Sequence, residues 1–77
     1  MSVSGKIKAL LSIKDKSHAE LAEHLGISSQ ALSNKFYRDS FSSSDLIKIA
    51  DFAGCPLAFM VDDALNISFD INDIGKH

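Results

Sequence analysis

The sequence predicts a mostly α-helical fold in which four short helices are followed by a β-hairpin. Three observations support this prediction. Apolar residues recur at helical spacing through the first two thirds of the chain, serine caps and glycines divide that part into segments, and the apolar period changes to two after Pro56. A chain of 77 residues is expected to form one small domain, residues 1–77, with a marginal hydrophobic core.

The first two helices are predicted from an apolar stripe and from cap residues. Helix one is expected at about residues 4–13, where four apolar residues recur at helical spacing. Ser17 and Glu20 have the spacing of a capping box, which predicts a second helix at about residues 18–25. Gly26 fits the left-handed position that ends this helix.

The next two helices carry similar signals. Ser28 is a cap for a third helix at about residues 29–37, with apolar residues placed on either side of the cap as in a hydrophobic staple. Ser42 repeats the capping pattern and predicts a fourth helix at about residues 43–53. Gly54 then ends the last helix.

Beyond Pro56, apolar residues alternate on both sides of a polar turn, which predicts a β-hairpin at about residues 57–71. The alternating residues are Leu57, Phe59, Val61, Ile67, Phe69 and Ile71. A fifth helix that begins with Pro56 is the alternative, because the segment PLAFMVDDAL also tolerates a helical pattern. Three alternating apolar residues on each side of the turn favour the hairpin.

Charge is distributed unevenly along the chain, although the formal net charge is only −2. Residues 1–38 carry six cations and three carboxylates, a balance of +3, whereas residues 39–77 carry two cations and seven aspartates, a balance of −5. The basic half could face a polyanion while the acidic half faces away. A solvated lysine face is the alternative interpretation of the same residues.

Several classes of protein are disfavoured by the composition. The chain has no apolar run of 18 residues and no signal-peptide pattern, so we expect no membrane contact and a cytoplasmic location. Cys55 is the single cysteine, which excludes an internal disulfide. No nucleophile, general base or metal-ligand constellation is evident, so we expect no enzymatic activity, cofactor, metal or small-molecule ligand.

The third predicted helix has a neutral polar face opposite its apolar one. At 100° per residue, Leu32 and Phe36 lie on one side of the helix. The opposite side carries Gln30, Ser33, Asn34 and Tyr37. Two helices joined by a short glycine turn form a helix-turn-helix, whose second helix can enter the DNA major groove, where Gln and Asn can bond adenine bidentately. The pattern therefore predicts base reading, with ordinary surface amides as the alternative.

Two segments, SHAELAEHLGISSQALSNKF and FSSSDLIKIADFAG, carry a family resemblance. From about Lys6 to Gly54 the chain resembles the Cro and phage-repressor (XRE) helix-turn-helix family of transcription regulators, which have a lambda-repressor-like fold. The resemblance implies base contacts from Ser29, Gln30, Ser33 and Asn34. It also implies DNA backbone contacts from His18, Ser28, Lys35, Tyr37 and Arg38. His18 departs from the family pattern, which usually has Gln at this position, but a histidine can still donate to a phosphate.

We therefore expect a protein that binds double-stranded DNA sequence-specifically, as a repressor or prophage-type regulator. One short helix reads too few base pairs to find a single site in a genome, so a homodimer on a pseudo-palindromic operator is expected. The six alternating apolar residues from Leu57 to Ile71 are the predicted dimer interface, because an isolated hairpin is marginal in water. The alternative is a protein-interaction module, such as an antitoxin or anti-regulator, with the same fold.

Overall fold

The computed structural model describes residues 2–75, which form four α-helices, two β-strands and one 3-10 turn. The helices are α1 (Val3–Ile13), α2 (His18–Leu25), α3 (Ser29–Arg38) and α4 (Ser43–Ala53). They are followed by β1 (Leu57–Met60), β2 (Asn66–Phe69) and the 3-10 turn Ile71–Asp73. The predicted fold class is confirmed, and the segment after Pro56 is a hairpin rather than a fifth helix. None of the helices within residues 2–75 has the length and apolar character needed to cross a bilayer.

Serine caps set the beginning of every α-helix. The N-cap residues are Ser2, Ser17, Ser28 and Ser42, and each side-chain oxygen accepts a hydrogen bond from a backbone N–H of the first turn. Gly26 ends α2 with a φ of 71°, in the left-handed region where a residue with a Cβ is strained. Asp39 ends α3 in the same region, with a φ of 55°. Aspartate is one of the few non-glycine residues that adopt this conformation readily.

The helices enclose an apolar core. Its most deeply buried side chains are Leu11, Leu21, Leu32 and Ile49. Leu32 and Phe36 are both buried, so the inner face of α3 is the one that the helical spacing predicted. Because α1 and α2 both pack against α3, that helix is anchored on one side and exposed on the other.

The hairpin is shorter than the sequence predicted. The strands pair antiparallel with Leu57 opposite Phe69, but Val61 lies in the connecting turn and Ile71 begins the 3-10 turn. The expectation that the strands include Val61 and Ile71 is wrong. The Asp70 carboxylate accepts a hydrogen bond from the N–H of Asn72 at 2.8 Å, and this local cap bends the chain directly after β2.

One face of the hairpin is apolar, and α4 covers only part of it. Directly paired strand residues share a face, so the apolar hairpin face consists of Leu57, Phe59, Ile67 and Phe69. Leu57 and Phe69 are half-buried, and with Leu46 and Ile47 of α4 they line a groove of about 240 Å³. Phe59 is 64% exposed and Ile67 is 56% exposed. The apolar face therefore extends beyond the surface that α4 protects.

Candidate nucleic-acid interface

The outer face of α3 is polar and open to solvent. Ser28 lies at the start of the helix, where its hydroxyl oxygen accepts a hydrogen bond from the N–H of Ala31 at 3.1 Å. The four predicted base-reading residues follow within two turns, and all of them are exposed: Ser29, Gln30, Ser33 and Asn34. Tyr37 continues the same face one turn later and is 91% exposed. The face therefore projects neutral hydrogen-bonding groups away from the core.

Gln30 and Asn34 form a hydrogen-bonded pair on this face. The Nε2 of Gln30 donates to the Oδ1 of Asn34 at 3.3 Å, between successive turns of the helix. This bond leaves the Gln30 carbonyl free as an acceptor and the Asn34 amino group free as a donor. One acceptor and one donor side by side match the N6 and N7 groups of adenine in the major groove.

A recess lies beside the outer face, where α1, α2 and α3 meet. It has a volume of about 270 Å³ and is lined by Lys8, His18, Ser33, Phe36 and Tyr37. The His18 ring stacks on the Phe36 ring with centroids 4.8 Å apart, and the Lys8 Nζ lies 5.3 Å from the Phe36 centroid. The structure thus brings together three residues that the sequence placed at the DNA, and it adds Lys8.

The C-terminal end of α3 contains one paired and one unpaired cation. The Lys35 Nζ lies 2.9 Å from the Asp45 Oδ2, which also accepts a hydrogen bond from the N–H of Ser42 at 3.0 Å. Burial raises the pKa of the Asp45 carboxyl, but the Ser42 N–H and the Lys35 ammonium together lower it by more. The pKa of Asp45 is therefore below its usual value. Arg38 is exposed and forms no ion pair with any residue from 2 to 75. The phosphate contact predicted for Lys35 requires its ammonium to leave or share Asp45.

Asp39 fixes the end of α3 against the beginning of α1. Its Oδ1 accepts hydrogen bonds from the Ser4 N–H at 2.6 Å and from the Ser4 hydroxyl at 2.7 Å. The same hydroxyl lies 2.9 Å from the Phe36 carbonyl oxygen, so its single proton is shared between two acceptors. The bonds from the Ser4 hydroxyl and N–H hold the pKa of the Asp39 carboxyl below its usual value. This contact helps to orient α3.

Away from α3, the polar groups between residues 2 and 75 do not form a second site of this kind. His24 lies 3.6 Å from the carboxylate of Asp51, on the side where α2 packs against α4. Within residues 2–75, no group of three or more His, Cys, Asp and Glu side chains is placed to hold a metal ion.

The glycine turn between α2 and α3, together with the exposed polar face of α3, defines a helix-turn-helix domain of the DNA-binding class. Residues 6–62 match the family model of the bacteriophage CI repressor helix-turn-helix domain, and the chain belongs to this family. The predicted resemblance to Cro and phage repressors is confirmed at the level of the family. A repressor domain of this type is a non-enzymatic DNA-binding module. Comparisons with curated proteins and with solved structures found no match.

Proposed function

We propose that this protein is a sequence-specific transcription regulator, of the repressor or prophage type, whose α3 enters the major groove of double-stranded DNA. The observation that supports this proposal is the division of α3 into two faces. Leu32 and Phe36 are buried in the core, whereas the opposite face presents neutral amides and hydroxyls to solvent. Cations alone attract any sequence, but amides in the groove discriminate between bases.

The proposed contacts fall into two groups. Bases are read by Ser29, Gln30, Ser33 and Asn34. The DNA backbone is contacted by His18, Ser28, Lys35, Tyr37 and Arg38. Arg38 is the stronger candidate at the end of α3, because Lys35 is paired with Asp45. The pairing of Gln30 with Asn34 suggests that these two amides read one base together.

The protein is proposed to act as a homodimer on a pseudo-palindromic operator. A two-stranded hairpin is marginal in water, and both outer edges of this sheet are unpaired among the described residues. The exposed parts of Phe59 and Ile67 offer an apolar surface that a second copy of the chain can cover by two-fold symmetry. Leu57 and Phe69 contribute less, since α4 already covers part of each. Val61 and Ile71 are peripheral to the proposed interface, because both lie outside the strands.

Selection of bound sequences from a random DNA pool tests this function. The full-length protein should enrich a two-fold repeated motif and should lose affinity steeply as salt rises.

Replacing Gln30 or Asn34 with alanine should cost roughly 1 to 3 kcal/mol at the preferred site and relax the preference at one base pair. Asn66→Ala is the matched control, because Asn66 is an exposed amide that lies on the hairpin, away from α3. Equal losses on preferred and random DNA would refute base reading. Absence of salt-dependent DNA binding would favour the protein-interaction alternative.

A further inference from the structure

We propose that the recess between α1, α2 and α3 binds one phosphodiester group of the DNA backbone, and that Lys8 is the residue that neutralises its charge. This inference rests on the proposed function. It adds a DNA contact from α1, a helix to which the sequence assigned no DNA-binding residue.

The chemistry of the lining fits a phosphate. Its four polar side chains are an ammonium, an imidazole and two hydroxyls, from Lys8, His18, Ser33 and Tyr37. Each can donate a hydrogen bond, and the lining formed by residues 2–75 includes no carboxylate to repel an anion. A phosphodiester offers two anionic oxygens that accept several such bonds, so the donors and the acceptors are complementary.

The floor of the recess holds these groups in position. Phe36 is 9% exposed and belongs to the core, so its ring is fixed by packing. The stacking of His18 on this ring and the approach of the Lys8 ammonium to its face limit the freedom of both side chains. Lys8 is exposed, but its ammonium already lies over the floor of the recess, which reduces the entropy lost when it binds a phosphate.

The location of the recess matches that of a phosphate at the edge of the groove. Ser33 and Tyr37 belong to the outer face of α3 and also line the recess. When α3 lies in the major groove, the backbone strand that borders the groove passes beside this face. A phosphate in the recess would fix the register of Gln30 and Asn34 on the bases without reading any base itself.

The first experiment compares Lys8→Gln with Lys6→Gln in the full chain. Lys6 is the matched control because it lies on the same helix, is exposed, and points about 200° away from Lys8. Lys8→Gln should make the salt dependence of DNA affinity shallower by about one unit, on specific and random DNA alike. Its affinity deficit relative to the wild type should therefore shrink about 3.5-fold between 50 and 200 mM salt. Lys8→Arg should retain the slope, and Lys6→Gln should behave like the wild type.

The second experiment identifies the phosphate. Single phosphates of the selected operator are replaced in turn by neutral methylphosphonates, and binding of the wild type and of Lys8→Gln is measured on each duplex. At one position per half-site, the substitution should weaken binding of the wild type by a larger factor than binding of Lys8→Gln. The proposal is overturned if Lys8→Gln and Lys6→Gln give the same slope, or if no position shows this coupling. Loss of salt-dependent DNA binding in the wild type would instead refute the proposed function.

Discussion

Replacing Phe59 with serine should weaken the proposed dimer by roughly 30- to 700-fold. Complete burial of a phenylalanine side chain contributes about 1.5 to 3 kcal/mol. Phe59 is 64% exposed in the isolated chain, so covering this exposed part of its surface contributes about 1 to 2 kcal/mol per copy. In a two-fold interface the substitution acts twice, which gives about 2 to 4 kcal/mol in the free energy of association.

Sedimentation equilibrium over a range of protein concentrations measures this change. Met60→Ser is the matched control, because Met60 is the next residue in β1, is 79% exposed, and lies on the opposite face of the strand. Met60→Ser should leave the dimer dissociation constant nearly unchanged, whereas Phe59→Ser should shift the mass toward the monomer. Equal effects of the two substitutions would show that the apolar hairpin face is not the interface. A wild type that remains monomeric at tens of micromolar would refute the dimer itself.

Three further predictions concern the charged groups around α3. The bonds that lower the pKa of Asp39 stabilise the fold at pH values above the ordinary pKa of 3.8, and this contribution is lost as the pH falls from there through the lowered pKa. Asp39→Asn should therefore unfold more easily than the wild type at neutral pH in urea titrations, and the difference should vanish in acid. Asp15→Asn, which also has a positive φ but lacks the Ser4 bonds, should show no such convergence. Arg38→Gln should make the salt slope of DNA binding shallower by about one unit at unchanged stability. Lys35→Gln should instead cost roughly 1 to 2 kcal/mol in unfolding free energy, because Asp45 loses its cation. A slope change for Lys35→Gln as large as that for Arg38→Gln would show that Lys35 leaves Asp45 to contact DNA.

The helices could be predicted from the sequence because their signals are local. The capping box of Ser17 with Glu20 and the left-handed turn at Gly26 each involve residues within one helical turn. The two faces of α3 followed from periodicity alone, since Leu32 and Phe36 are buried and Gln30 and Asn34 are exposed. Local rules therefore recovered the fold class and the orientation of the candidate reading helix.

The missed features depend on contacts between distant parts of the chain. Lys8 reaches Phe36 only because α1 packs on α3, and no spacing in the sequence records that contact. The ion pair of Lys35 with Asp45 likewise joins two helices. The early end of the hairpin had a local signal that the alternation obscured. Asp70 precedes Asp73 by three residues, the spacing of a capping box, and the structure shows both reciprocal bonds.

The contact of Ser4 with Asp39 closes the first half of the chain into a noncovalent ring of three helices. Ser4 lies near the amino terminus, yet it is 35 positions from its partner along the chain. Closing a loop of this length has one entropic cost, and further contacts among the helices inside the closed loop then form at a smaller cost in chain entropy. Deletion of residues 2–4 would remove the hydrogen bonds from Ser4 to Asp39 and make the carboxyl end of α3 less ordered. A deletion at the start of α1 would thus affect α3, the helix that is proposed to read DNA.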